Sequence, residues 1–311
     1  MQANKTILEK ADMALGDLTA GGLLLPAQAQ KFIRILIDEG KLMKLATVTP
    51  MKSHTQEINK IKFGTRVLRA GQENTALLAA ERAKPTTSKV SLVAKLFKGQ
   101  VNLTYEVLED SIEQETLKTT IMQLMGEAIA RDIDEILVRG DTTLVADPFL
   151  AQFDGVLRQA VSNIVDASQT SLTKSILRDM IKAMPSAFLR NKQDLRFLTS
   201  VDAEIDYRDS ISNRMTDKGD KALDGAAPVG YSGIPVIDVP LFPENLGVGT
   251  NETDILLLDP KNINVGIWRN IQIETDKDIE AGRVIIVVTM RMDMKFIEET
   301  AVVKAVGVTV S

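Results

Sequence analysis

The stretch SIEQETLKTTIMQLMGEAIARDIDEILVR, residues 111–139, decides how the rest of the chain is read. Its apolar side chains Leu117, Ile121, Leu124, Met125, Ala128, Ile133, Ile136 and Leu137 recur every three or four residues, the period of one helical face. At 1.5 Å per residue such a helix spans about 40 Å, longer than most globular domains need, so it is expected to be the spine of an elongated subunit. Asp110 or Ser111 can accept its first free amides, and Gly140 is expected to end it in a left-handed conformation. Glu106, Glu109, Asp110, Glu113 and Glu115 gather at its start, where negative charge meets the positive end of the helix dipole.

On the N-terminal side, residues 1–26 read as an extended arm that ends in Gly21-Gly22-Leu23-Leu24-Leu25-Pro26, a flexible pair followed by a stiff apolar clamp. From Ala27 a short amphipathic helix is expected on Phe32, Ile33, Leu36 and Ile37, with Gly40 as its stop, and residues 27–46 join it to the body. Between Thr47 and Tyr105 the period falls to two: Ile61, Phe63, Thr65 and Val67 share one strand face, and Val101, Leu103 and Tyr105 another. The intervening Ala70–Lys89 is too long for a tight turn, so a projecting loop is expected around the helix-prone Leu77-Leu78-Ala79-Ala80.

On the C-terminal side, the spacing predicts a helix over 172–184, a strand over 195–198, a capped helix over 200–213 and an exposed loop over 215–228. Strands follow at 235–239, 255–258, 263–268, 271–275, 283–296 and 301–310. The strand from Arg283 is expected to be apolar on both faces at first and half-exposed later, where Met290, Met292 and Met294 alternate with Arg291, Asp293 and Lys295. The whole is α+β.

Composition narrows the chemistry. A content of 44% hydrophobic and 25% charged residues suits a folded soluble chain, and the net charge of -5 comes without a basic run that would bind nucleic acid by sequence. The absence of cysteine excludes disulfides, thiolate metal sites and cysteine nucleophiles. The N-terminus lacks a signal-peptide core, and Val284–Val288 is far short of the ~20 residues that span a bilayer, so no membrane is expected and the chain should be cytosolic when made. His54, the one histidine, reads as a surface residue. Asp132, Asp134 and Glu135 read as a solvated helix face with Arg131 and Arg139 as partners. Gly247-Val248-Gly249 lacks the third glycine of a dinucleotide fingerprint, and Asn102-Leu103-Thr104 matches the glycosylation triplet by chance within a strand. No catalytic, cofactor-binding or metal-binding constellation is expected.

The order of parts resembles the Hong Kong 97 capsid fold of the major capsid proteins of tailed double-stranded DNA phages. The resemblance is carried by Gly21–Pro26 as the arm-to-body junction, Tyr105-Glu106-Val107-Leu108-Glu109-Asp110-Ser111 as the entry to the spine helix, Gly155-Val156-Leu157 after it, and Gly230-Tyr231-Ser232-Gly233-Ile234-Pro235-Val236. It implies an N-terminal arm (1–26), an extended two-stranded loop (47–105), a spine helix with the peripheral domain (106–170), an axial domain (171–260), returning peripheral strands (261–296) and a C-terminal strand that rejoins the axial domain (297–311).

The resemblance also implies a virion protein that assembles with itself, as homo-pentamers and homo-hexamers, into an icosahedral head around double-stranded DNA held without sequence-specific contacts. The loop of one copy would lie on the next, with Gln72, Glu73, Glu81, Arg82 and Lys84 at its tip as contact residues. A portal and a separate scaffolding protein, or a propeptide removed before Met1, are further expectations, with assembly in the host cytoplasm. Some members weld subunits through lysine and asparagine; this chain offers Lys60, Lys62 or Lys84 and Asn262, Asn264 or Asn270, and no motif selects a pair. Two rivals stand beside this reading. An encapsulin-like nanocompartment shell would share the fold, although the lengthy arm before Pro26 favours a phage; a hydrolase or transferase working with carboxylates alone would need a perturbed pair in a deep pocket.

Overall fold

A computed structural model describes residues 12–13, 41–63, 66–68, 70–71, 73–74, 76–78, 82–110, 117–212, 229–247, 249 and 251–310. In chain order its elements are β1 (Asp12–Met13), α1 (Lys41–Leu45), β2 (Thr47–Pro50), β3 (Thr55–Lys62), β4 (Thr86–Val93), β5 (Lys95–Thr104), α2 (Tyr105–Asp110), α3 (Leu117–Arg139), α4 (Val156–Gln159), β6 (Ile164–Ser171), α5 (Lys174–Ala183), β7 (Arg196–Thr199), α6 (Val201–Ser212), β8 (Gly230–Tyr231), β9 (Ile234–Asp238), β10 (Glu252–Leu258), β11 (Ile263–Asp278), β12 (Arg283–Phe296) and β13 (Val303–Thr309).

Two sheets organise the chain. The first has the order β1-β5-β12-β11-β2 and the second β6-β13-β10-β7-β9-β8, while β3 and β4 form a separate two-stranded ribbon. The spine helix α3 lies along β12. Ile121 packs in one cluster with Leu103, Val284 and Ile286, and Ile133 and Ile136 pack in another with Met290 and Met292. The lengths agree: twelve helical residues rise about 18 Å and six strand residues about 20 Å, so helix and strand stay in step across the sheet. Among the described residues three connections join the two layers, 160–163, 259–262 and 297–302.

Several expectations change. Two helices are described along the expected spine, α2 and the 23-residue α3, about 35 Å long; residues 111–116, with Ser111, lie outside the described residues, and Thr104 caps α2 by accepting the Val107 amide at 3.4 Å. Tyr105 therefore opens a helix instead of sharing a strand face with Leu103. Gly140 is not left-handed. A Cβ there would lie 2.4 Å from the Phe153 carbonyl oxygen and 2.6 Å from that of Ile136, so close backbone approach, not turn geometry, requires glycine. The helical turn α1 lies beyond Gly40, the expected stop, because Asp134 caps it; residues 27–40 lie outside the described residues.

Of the expected loop Thr47–Tyr105, only β3 and β4 stand apart as a ribbon, since β2 and β5 belong to the first sheet. Its second strand, β4, begins inside the expected irregular segment Ala70–Lys89, and Leu77 and Leu78 are exposed and not helical. Strand β12 buries one face from Val284 to Phe296 because α3 covers that face, and Asp293, on the later half expected to be half-exposed, is buried beside β4. The segments at 263–268 and 271–275 are one continuous strand, β11. Helices α5 and α6 and strand β7 lie where expected, with Ser200 Oγ accepting the Ala203 amide at 3.3 Å. The loop at 215–228 and most of the arm lie outside the described residues.

Candidate assembly surfaces

The ribbon β3–β4 leaves the body at a small apolar root formed by Met51, Leu92 and Ala94, with Ile58 packed against it. The root fits because β11 carries glycine at 266: a Cβ there would meet Met51 Sδ at 2.8 Å and Leu92 Cδ1 at 2.9 Å. Three backbone amides tie the root down. Met51 donates to the Ile267 carbonyl at 2.9 Å, Ala94 to the His54 carbonyl at 2.9 Å, and Val93 to the Asp293 carboxylate at 2.7 Å. Burial pushes the Asp293 carboxyl up, while the Val93 and Met294 amides pull it back. His54, exposed as expected, meets Trp268 edge-on at 5.7 Å, and the Arg291 guanidinium lies 4.6 Å from the centre of the same ring.

Because strand side chains alternate, the ribbon has two unlike faces. Gln56, Ile58 and Lys60 turn inward and are half-buried, whereas Glu57, Asn59 and Ile61 turn outward. Lys60 Nζ reaches the Glu298 carboxylate at 3.3 Å and also donates to the Ile297 carbonyl; Lys62 reaches the same carboxylate at 3.5 Å. Large apolar groups stay in water on the outward face and in the segment between the two strands: Ile61 is 70% exposed, Phe63 56%, Leu68 82% and Leu78 70%. Isolated exposed apolar side chains are ordinary, but four of them on one projecting element suit a partner surface. Glu73, Arg82 and Lys84 are exposed on the same projection, and Gln72 and Glu81 lie outside the described residues.

Glu298 belongs to the junction between the two sheets. Asn262 Nδ2 donates to the Glu298 carbonyl and Asn262 Oδ1 accepts the Glu298 amide, both at 2.7 Å. Asn163 Nδ2 donates to the carbonyls of Thr300 and Val302 at 3.0 and 2.9 Å, and Glu299 accepts the amides of Val161 and Ser162 at 2.9 and 2.7 Å. All three connections are thus laced together by side chains, of which the sequence offers Asn262 only as a cross-linking candidate and assigns Asn163 and Glu299 no role. Burial raises the Glu298 carboxyl, but the Thr300 hydroxyl and the ammonium groups of Lys60 and Lys62 outweigh it and hold the group below its ordinary value.

The other perturbed carboxylates have structural tasks. Asp134, expected on a solvated face, is buried: it accepts the amides of Leu42 and Met43 at 3.3 and 3.2 Å and so caps α1, and burial raises its carboxyl against those bonds. Asp132 does stand partly in water beside Arg131, and Glu135 pairs with Arg139 at 3.5 Å as expected. Asp254, raised by burial, faces Lys304 at 3.7 Å. In the cleft of about 330 Å³ between the layers, Asp259 accepts the Lys261 amide at 3.0 Å and Glu298 holds the two lysines. Each carboxylate has a neighbour that explains its position.

Residues 20–307 match the phage capsid family. The Bacillus subtilis (strain 168) protein YqbE, named as a prophage capsid protein, is 42% identical over 309 residues, covering 98% of this chain and 99% of its own. Among solved structures, the capsid of the native GTA particle superposes with a TM-score of 0.69 at 16% identity, over 95% of this chain and 100% of that one. The holo-SrpI encapsulin complex of Synechococcus elongatus PCC 7942 gives 0.60 at 15% identity, over 96% and 98%.

Proposed function

The chain belongs to the phage capsid family and is a structural capsid protein of the Hong Kong 97 fold, and on that premise we propose that its copies close through pentamers and hexamers into an icosahedral head around double-stranded DNA. The observation that carries this reading is the ribbon β3–β4, a two-stranded sheet of its own whose outward face keeps Ile61 in water, with Phe63, Leu68 and Leu78 exposed in the segment that links its strands. An element that buries nothing of its own on that side gains its apolar contacts from another chain, and repeated heterologous contacts close into rings when the rotation closes. In this reading Gln72, Glu73, Glu81, Arg82 and Lys84 rim the contact, the first sheet with α3 is the peripheral domain, and the second sheet is the axial domain.

The finer partners belong to the same proposal: a scaffolding protein, a portal, DNA held without sequence-specific contacts, and assembly in the host cytoplasm. The chain has no catalytic part in it. The encapsulin-like alternative rests on fold alone at 15% identity, whereas the relative at 42% is named as a prophage capsid protein, which favours the phage reading. Negative-stain electron microscopy with light scattering over a concentration series tests the proposal. Closed polyhedral shells, or five- and six-fold capsomers, are expected; a monomer or dimer at every concentration, alone and with its genomic neighbours co-expressed, would overturn it. Shells that co-purify with a cargo enzyme would favour the nanocompartment.

A further inference from the structure

A ribbon tied only at its root can pivot, because a small apolar cluster and a few amides at one end set its position but leave its angle soft. This ribbon has a second point of attachment. Lys60 lies two residues beyond Ile58, the last root residue on the same inward face, about 7 Å along the strand. There it meets Glu298 at 3.3 Å, with Lys62 at 3.5 Å on the same carboxylate. The Lys60 and Glu298 side chains are 20% and 22% exposed, so the pair is shielded more than an ordinary surface pair. Its acidic partner sits on a backbone that is itself anchored, through Asn262, to the junction of the two sheets. The outward face, with Ile61 and Phe63, takes no part in the attachment.

Resting on the capsid reading above, we propose that Glu298, acting through Lys60 and Lys62, is a latch that holds the ribbon at one angle and so presents its apolar outer face ready for a neighbouring copy of the chain. Two points fix a lever where one does not, and a surface already held in its docking pose loses less freedom when it binds. The lysines and Glu298 are positioning residues: they orient the contact surface without forming it.

The chain has no cysteine, so Thr87→Cys on the ribbon and Lys192→Cys on the body give a clean pair of spin-label sites, both at exposed positions. Pulsed electron–electron distance measurement on the full chain, dilute enough to stay dispersed, is expected to give one narrow distribution. Glu298→Gln should broaden it several-fold. The double variant Lys60→Met with Lys62→Met should broaden it equally, while leaving the bonds between Asn262 and Glu298 in place. Both variants should still unfold in a single cooperative thermal transition and raise the protein concentration at which shells appear several-fold. A distribution that stays narrow in either variant would overturn the latch, as would broadening with an unchanged or lower onset concentration. Failure of the capsid reading itself looks different: the unaltered chain would never form shells, whatever the ribbon distances show.

Discussion

Asp134 and Asp293 perform one task in two places. Each is a buried carboxylate that accepts backbone amides from a segment far away in the chain, Leu42 and Met43 in one case and Val93 in the other. Removing such an acceptor leaves a buried donor unsatisfied, which costs about 1–3 kcal/mol. Asp293→Ala is therefore expected to lower the stability of the dispersed subunit by about that amount in urea unfolding, and Asp293→Asn, which keeps one acceptor oxygen, by less. The glycines make a second comparison at this scale. At Gly140 an added Cβ runs into backbone carbonyl oxygens that cannot move aside, whereas at Gly266 it meets the ends of Met51 and Leu92, which can. Gly266→Ala should cost about 1–3 kcal/mol and Gly140→Ala more, as ranked by chemical denaturation; the reverse order would contradict the packing described at the helix end.

The elements differ in how they are held. Helix α3 is fixed along its length by two apolar clusters, so no single residue governs its position. The ribbon β3–β4 depends on a small root and on charge. That charge has a pH dependence whose sign is set by Glu298, which is faced by Lys60, Lys62, the Thr300 hydroxyl and the neighbouring Glu299. The folded-state value of Glu298 lies below its ordinary 4.5. Its contribution is therefore complete above the ordinary glutamate range and is lost as the pH falls through the lower, folded-state value. Acidification into that window should broaden the ribbon's distance distribution in the native chain and change nothing further in Glu298→Gln, where the carboxylate that holds the two lysines is gone. A matching response in both chains would assign the effect to another group.

At the scale of the whole molecule, the proposed assembly draws on the face of the ribbon opposite to the one that folding uses. Ile61 and Phe63 point away from the body, so Ile61→Asp and Phe63→Asp should leave the unfolding free energy of the subunit within about 0.5 kcal/mol while preventing shells in electron micrographs. Shells that form normally from the double variant would remove the ribbon's outer face from the contact. The same division explains what could be read in advance. The helical period of residues 117–139, the 172–184 and 200–213 helices and the late strands were legible because a regular element repeats its buried face every two or three to four residues, a property of local sequence. Strand β4, Thr-Thr-Ser-Lys-Val-Ser-Leu-Val, was not, since its ribbon is exposed over most of its surface and carries no apolar alternation outside Val90 and Leu92. The surface status of His54 was legible; the burial of Asp134 and Asp293 and the pairing of Lys60 with Glu298 were not. Those contacts join residues 92, 200 and 238 positions apart. By itself the sequence determined most of the element types, their order and, through that order, the capsid fold. Only the tertiary structure decided which carboxylates are caps, which glycines are spacers and which charge holds the ribbon, because burial and partnership arise when distant segments meet, and no period along the chain records that meeting.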